Sequence, residues 1–167
     1  ISNKLLSRMN HAQDHGKKKV LIMGLTFKEN CPDIRNSKVF DIIDFLRKKD
    51  IEVDIYDPWV NQNEVTNDYK LILKEHLIKD SYHGIIIAVS HNKFVEMGIK
   101  LIRSFGTKNS VLYDLKHIFN KHDSDLRLWL LMEKNSFLVS QLSSKQFTWL
   151  ITGVGGSCGS YLAEYIN

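Results

Sequence analysis

Residues 20–37, VLIMGLTFKENCPDIRNS, are the clearest indication of the fold, because an apolar strand leads through a long polar loop into an amphipathic helix. Loops between strands and helices commonly run about two to six residues, whereas this one runs about a dozen. In an open α/β sheet, ligands bind at the carboxyl ends of the strands. The loop therefore predicts an anion-binding site, and a solvated loop with a Pro-Asp turn is the alternative. Its charged residues are Lys28, Glu29, Asp33 and Arg35.

Outward from this stretch, strands alternate with helices. The apolar runs predict strands at residues 20–25, 52–57, 84–90 and 110–115, and the periodicity predicts helices at 1–13, after Ser37, at 63–80 and at 94–105. Such alternation indicates a parallel sheet with right-handed crossovers. We therefore predict an α/β, Rossmann-like three-layer sandwich with four to five parallel strands and a C-terminal appendage. No glycine-rich fingerprint follows the first strand, so this half should not bind a pyrophosphate in the usual way.

Composition excludes several classes of function. The net charge of +4 is spread out apart from the lysines at 17–19, which abut a strand, so no nucleic-acid partner is expected. Cys31 and Cys158 have no metal-ligand spacing, which predicts no metal site and a reduced, cytoplasmic protein. No apolar run is long enough to cross a membrane. Because the sequence begins with Ile1, we expect it to be a piece of a longer chain.

Four segments carry a resemblance to a known family. GLTFKENCPDIRNS, VDIYDPWV, VLYDLKHIF and SDLRL, within residues 24–128, resemble the C-terminal, UDP-binding domain of the UDP-glucose/GDP-mannose dehydrogenase family. They are most similar to the branch that oxidises UDP-N-acetylhexosamines for surface polysaccharides of the Vi-antigen type. The resemblance covers residues 1–128. It implies oxidation of a sugar C6 alcohol to a carboxylate, in two hydride transfers to NAD, through a thiohemiacetal on a cysteine.

The resemblance also implies what this chain contributes. The family's catalytic cysteine and NAD-binding domain belong to its N-terminal half, so we expect no catalytic residue here and an inactive isolated chain. The predicted function is to bind UDP-N-acetylhexosamine or UDP-glucose as part of a 6-dehydrogenase, with a homodimer in the full-length enzyme. A non-catalytic nucleotide-sugar-binding or assembly module fused to an epimerase is one alternative. An α/β domain with no retained function is another.

The matching motif assigns roles to individual residues. The resemblance implies that Lys28 binds the UDP-sugar, that Arg35 contacts the NAD pyrophosphate, and that Lys116 lies near the uridine. Asp33 is interpreted as a substrate-binding residue, and orienting Arg35 or capping the helix is an equal alternative. A solvated side chain is the alternative for Lys28.

Three other residues are weighed as functional or structural. Cys31 is interpreted as a packed loop thiol rather than a nucleophile. His91 follows the third strand, and a histidine that bonds backbone is the commoner alternative to a catalytic one. Trp59 is interpreted as a packing anchor for the loop that follows it.

The end of the sequence changes character. Residues 129–148 are interpreted as a linker, and 149–167 resemble the opening of an NAD-dependent sugar-nucleotide epimerase. Gly153, Gly156 and Gly159 form a G-x-x-G-x-x-G pattern after a predicted strand, which suits a pyrophosphate, and we count them as candidate NAD-binding residues. Only a short helix follows, so this half-motif should not bind NAD alone. A read-through or frameshifted join and a genuine fusion both remain open.

Overall fold

The computed structural model describes residues 1–9, 17–69 and 71–128. The linker predicted at 129–148 and the glycine-rich segment at 149–167 lie outside the described residues. The helices are α1 Ser2–Met9, α2 Val39–Arg47, α3 Gln62–Tyr69 and α4 Asn92–Phe105, with a short 3₁₀ helix at Lys121–Asp123. The strands are β1 Lys19–Met23, β2 Glu52–Tyr56, β3 Tyr82–Ile87, β4 Gly106–Asp114 and β5 Leu126–Arg127.

The strands form one parallel sheet in the order β2-β1-β3-β4-β5. Val20 of β1 lies opposite Val53 of β2 on one side and Gly84 of β3 on the other. Each connection must therefore cross over a face of the sheet, which is why helices separate the strands. The predicted Rossmann-like α/β fold is confirmed, and the sheet has five strands.

Alternate residues of β1 belong to two different hydrophobic cores. Val20 and Ile22 are buried with residues of α1 and α2, whereas Leu21 and Met23 are buried with Phe94 and other residues of α4. Because successive side chains of a strand point to opposite faces, this division gives the three layers expected from the sequence. The continuous apolar run of β1 follows from burial on both faces.

The helix predicted at 63–80 is wrong in its second half. α3 ends at Tyr69, and Leu73 instead forms a parallel bridge with Ile55 of β2. The N–H of Lys74 donates to the carbonyl of Ile55 at 2.7 Å, and the N–H of Leu73 donates to the Gln62 amide oxygen at 2.8 Å. β2 is the edge strand, so this segment meets backbone groups that would otherwise lack a partner.

A glycine permits the close approach of two strand ends. Gly24 has a φ of +94°, and a Cβ added there would lie 2.6 Å from the Cβ of Val89. Glycine alone tolerates both conditions, and the chain can therefore leave β1 directly beside the end of β3. The loops that follow β1, β2, β3 and β4 all emerge at this carboxyl edge. In the described part of the chain, no helix has the length and apolar character required to span a membrane.

Candidate functional site

The loop between β1 and α2 is held at its start by a buried carboxylate. Asp57 follows β2, and its Oδ2 accepts hydrogen bonds from the N–H groups of Leu25 at 2.6 Å and Thr26 at 3.3 Å. Its Oδ1 accepts the N–H of Trp59 at 2.8 Å. Burial alone would raise the pKa of the Asp57 carboxyl, but the hydrogen bonds from His91, Leu25 and Trp59 outweigh it and lower the pKa. Asp57 is therefore a fixed negative charge inside the site.

His91 joins the loop to the end of β3. Its ring is fully buried, with Nε2 3.1 Å from Asp57 Oδ2 and 3.2 Å from Thr26 Oγ1. Its Nδ1 accepts the N–H of Asn30 at 2.9 Å. The ring also packs edge-on against Phe94, with centroids 5.1 Å apart. Of the two roles considered for His91, the structure shows the backbone-bonding one.

The loop is folded on itself, which differs from the solvated alternative. The N–H of Phe27 donates to the carbonyl of Asp33 at 2.8 Å. This hydrogen bond closes the base of the loop tip, residues 28–32. Asn30 and Asn36 have φ values of 53° and 59°, a region that asparagine tolerates better than most residues. The Asn30 side-chain oxygen accepts the N–H of Asn92 at 3.0 Å. The length of the loop therefore corresponds to a defined structure.

The tip of the loop exposes an aromatic ring and a cation. Phe27 is 65% exposed, and Lys28 and Glu29 are exposed beside it. The carbonyl of Lys28 accepts the hydroxyl of Thr26 at 2.9 Å, while its ammonium has no ion-pair partner among the described residues. A mobile ammonium next to a fixed backbone suits a phosphate oxygen or a developing negative charge.

Asp33 and Arg35 bind each other. Arg35 Nε donates to Asp33 Oδ1 at 2.9 Å and Nη2 donates to Oδ2 at 2.8 Å, and the backbone N–H of Arg35 also reaches Oδ1 at 3.0 Å. The side-chain hydrogen bond from Arg35 lowers the pKa of Asp33 from 3.8 to about 2. The Arg35 side chain is 78% exposed. This geometry fits the orienting role considered for Asp33.

Lys116 lies in a different loop of the same edge. It follows β4, where buried Asp114 accepts the N–H groups of Lys116 at 3.0 Å and Phe119 at 3.1 Å. The Lys116 side chain is exposed. Since β3 separates β4 from β1, the Lys116 and Lys28 loops leave strands that are about 10 Å apart. The two lysines thus lie at the same carboxyl edge of the sheet, on separate loops.

The remaining candidate residues from the sequence have different positions in the structure. Cys31 is a half-buried free thiol, and no cluster of metal-ligating side chains occurs in the described ranges. Trp59 is 46% exposed, which does not fit the packing anchor expected of it. Gly153, Gly156 and Gly159 fall outside the described residues.

Two contributors to the site, Thr26 and Asp57, were not predicted from the sequence. Both residues end or follow a predicted strand at the ligand edge, and a polar side chain in such a position is a signal that could have marked them. α2 begins after Ser37 as predicted, with Lys38 at its cap position. The Ser37 hydroxyl still accepts the N–H of Val39 at 3.3 Å.

Comparisons with known proteins agree with this architecture. Residues 21–121 match the model of the UDP-glucose/GDP-mannose dehydrogenase family, UDP binding domain. A UDP-N-acetyl-D-glucosamine 6-dehydrogenase of Salmonella typhi is 48% identical over 109 residues, which is 65% of this chain and 26% of the relative. One from Pseudomonas aeruginosa is 47% identical over 110 residues, which is 66% of this chain and 26% of the relative.

A solved structure shows the same fold. The UDP-N-acetyl-mannosamine dehydrogenase Cap5O from S. aureus superposes with a TM-score of 0.57 at 25% sequence identity, covering 75% of this chain and 28% of that chain. The chain thus spans 26% of the length of the two relatives above and 28% of this structure. The family model that residues 21–121 match is the one for the UDP binding domain.

Proposed function

The chain belongs to the UDP-glucose/GDP-mannose dehydrogenase family, and we propose that its described domain binds the nucleotide of a UDP-N-acetylhexosamine at the carboxyl edge of the sheet. The observation that carries the proposal is the folded β1–α2 loop, which holds the exposed Lys28 at its tip, with no ion-pair partner for its ammonium among the described residues. The relatives that are 48% and 47% identical are named for action on UDP-N-acetyl-D-glucosamine, which supports the substrate class.

The geometry supports different roles for the residues at this edge of the sheet. Asp57 fixes the backbone of Leu25 and Thr26, so the tip leaves the sheet at a defined place. Lys28 then offers a point charge to the diphosphate or to the oxygen that gains charge in the reaction. Lys116 would approach the nucleotide from the β4 side. The whole enzyme would oxidise the sugar C6 alcohol to a carboxylate, giving a UDP-uronic acid for surface polysaccharide.

The β1–α2 loop lacks the usual features of an NAD-binding loop. The loop after β1 has Gly24 as its one glycine before α2, so it lacks the glycines that let a backbone approach a pyrophosphate. Among the described residues, Arg35 fits a contact to NAD. Its exposed guanidinium can donate a further hydrogen bond to a phosphate oxygen on the other side of a cleft. NAD supplies the hydride acceptor in this family, and we propose that its other contacts lie outside this domain. The glycines at 153, 156 and 159 remain candidate NAD-binding residues.

Two further properties are proposed from the family and composition. We expect the full-length enzyme to be a homodimer and to act in the cytoplasm. The non-catalytic module fused to an epimerase is less well supported, because the two relatives and the solved structure described above are named as dehydrogenases.

Titration of the isotope-labelled chain with UDP, followed by NMR, tests the proposed function. Shifts should concentrate in residues 26–30 and around Lys116, and Lys28→Ala should weaken binding by about 1–3 kcal/mol because a charged hydrogen bond is lost. Lys108→Ala is the matched control, since Lys108 is exposed near the amino end of β4 and hence away from this edge. Equal affinities for the wild type and Lys28→Ala would contradict the role of Lys28.

A further inference from the structure

His91 contacts the loop on both sides of Lys28. Its Nε2 lies 3.2 Å from the hydroxyl oxygen of Thr26, and its Nδ1 accepts the N–H of Asn30. Between these two contacts, the Thr26 hydroxyl donates to the carbonyl of Lys28. One buried ring therefore contacts the loop two residues before and two residues after the residue proposed to bind the nucleotide.

Counting protons defines the state of the ring. Nδ1 accepts from Asn30, so it carries no hydrogen, and the single proton of neutral His91 lies on Nε2. The Thr26 hydroxyl uses its hydrogen on the Lys28 carbonyl, so its oxygen accepts from Nε2. The same Nε2–H also faces Oδ2 of Asp57, the charged group that contacts the ring among the described residues. These contacts are mutually consistent for the Nε2–H tautomer.

The tip depends on this ring because it has few other hydrogen bonds to the rest of the domain. In the described structure, the hydrogen bonds that link residues 28–32 to groups outside the loop are both made by Asn30. Its N–H donates to Nδ1 of His91, and its side-chain oxygen accepts the N–H of Asn92. The base of the tip is closed only within the loop, by Phe27 and Asp33. Loss of the Nδ1 contact would thus leave the tip attached mainly through Asn92.

We propose that His91 is a positioning residue that holds the Lys28 backbone in place for nucleotide binding, through Thr26 on one side and Asn30 on the other. This inference rests on the proposed function of Lys28. His91 itself is fully buried and does not touch the ligand in this scheme. Asp57 and Thr26 orient its ring, and Phe94 packs against it.

Two substitutions separate the two ring nitrogens. In His91→Asn, the amide oxygen can occupy the place of Nδ1 and accept the N–H of Asn30. In His91→Gln, the longer side chain places its amide near Nε2, where it can donate to Asp57 but leaves Asn30 without its acceptor. We expect His91→Asn to bind UDP within about threefold of the wild type and His91→Gln to bind about tenfold more weakly, as loss of one hydrogen bond would give. Binding of UDP by His91→Gln within about threefold of the wild type would overturn the proposal.

A double-mutant cycle with Lys28→Ala distinguishes positioning from a general effect on the fold. If His91 acts through Lys28, then His91→Gln should change UDP affinity by less than about twofold when Lys28 is already alanine. Full additivity of the two losses would show that His91 acts elsewhere, and would overturn the proposal. Thr26→Val provides a second variant that leaves His91 intact, and it should weaken UDP binding in the same Lys28-dependent way.

Amide exchange tests the inference separately from the proposed function. If the wild type fails to bind UDP, the proposed function is wrong, but the exchange rate of the Asn30 amide still reports on the tip. That rate should stay near the wild-type value in His91→Asn and rise about tenfold or more in His91→Gln. Equal exchange in both variants would overturn the positioning role whatever the result with UDP.

Discussion

Arg35 and Asp33 form a two-pronged ion pair within one loop, with Nε 2.9 Å from Oδ1 and Nη2 2.8 Å from Oδ2. This pair orients the Arg35 guanidinium before any ligand arrives, because a bidentate contact fixes the plane of the fork. The two residues are two positions apart in the sequence, so the pair needs no support from other elements.

Replacement of Arg35 should raise the pKa of Asp33. In the wild type, the carboxyl of Asp33 should titrate at about 2, below its ordinary value of 3.8. In Arg35→Ala the midpoint should return toward 3.8, whereas Arg35→Lys should give an intermediate value. The carboxyl carbon signal, followed by NMR against pH, measures each midpoint, and the exposed Asp41 serves as an internal control. An unchanged Asp33 midpoint in Arg35→Ala would show that the pair does not persist in solution.

The charge of Asp57 should make stability depend on pH. Its folded-state pKa is lowered, so its contribution is complete above the unfolded value, about 3.9, and is lost as the pH falls through the folded value. Asp57→Asn should lower the free energy of unfolding by about 2–4 kcal/mol at pH 7, because a buried charge and its bonds to Leu25 and His91 are disrupted. Urea unfolding at pH 7 and at low pH measures both effects. The difference in unfolding free energy between the wild type and Asp57→Asn should become smaller in acid. A difference that stays constant with pH would contradict the assignment of Asp57 as a buried charge.

Alanine at Gly24 should be far more damaging than alanine at Gly98. Both glycines have positive φ, so each substitution strains the backbone by about 1–3 kcal/mol. Only at Gly24 would the added Cβ also overlap Val89, whereas no atom lies within 4 Å of the position at Gly98. Thermal unfolding should therefore show a distinctly larger loss for Gly24→Ala. Similar losses at the two sites would mean that the approach of the β1 and β3 ends is easily relaxed.

The 167-residue chain should not reduce NAD in the presence of UDP-N-acetyl-D-glucosamine. Its described residues offer Cys31 as their one thiol, half-buried in the loop, and the β1–α2 loop lacks the glycines of an NAD-binding loop. Absorbance of NADH over time measures the activity, with a full-length relative as the positive control. Sustained NADH production by the chain would contradict the assignment of no catalytic residue to it.

Removal of residues 129–167 should leave the melting temperature of the remaining domain nearly unchanged. The described residues already complete the five-stranded sheet and bury both of its faces. A shortened chain ending at Leu128 can be compared with the full chain by calorimetry. A drop of many degrees would show that the later residues are integral to the domain.

The sequence allowed the fold to be predicted because its strands and most of its helices have strong local signals. The run from Val20 to Met23 and the helical spacing of Val39 and Leu46 depend only on neighbouring residues. The loop was also predicted to be a site, since its charge and length are local properties. The end of α3 was not predicted, because Leu73 pairs with Ile55 through the tertiary structure.

The support of the loop could not be read from the sequence for a related reason. Thr26, Asp57 and His91 come from three different connections, and they meet only because β1 lies between β2 and β3. Alternation of strands and helices predicts a parallel sheet but does not give the order of its strands. Without that order, His91 could be weighed only as a loop histidine.

The strand order also has a consequence for synthesis on the ribosome. β1 is the first strand of this domain to emerge, but its inner neighbour β3 ends at Ile87, and β4 must then cover the other side of β3. A nascent chain that has released only β1 and β2 therefore exposes the inner edge of β1 and much of its apolar surface. Because contacts distant in sequence form slowly and leave such edges exposed, the interval before residue 114 emerges is when the domain most needs protection from aggregation.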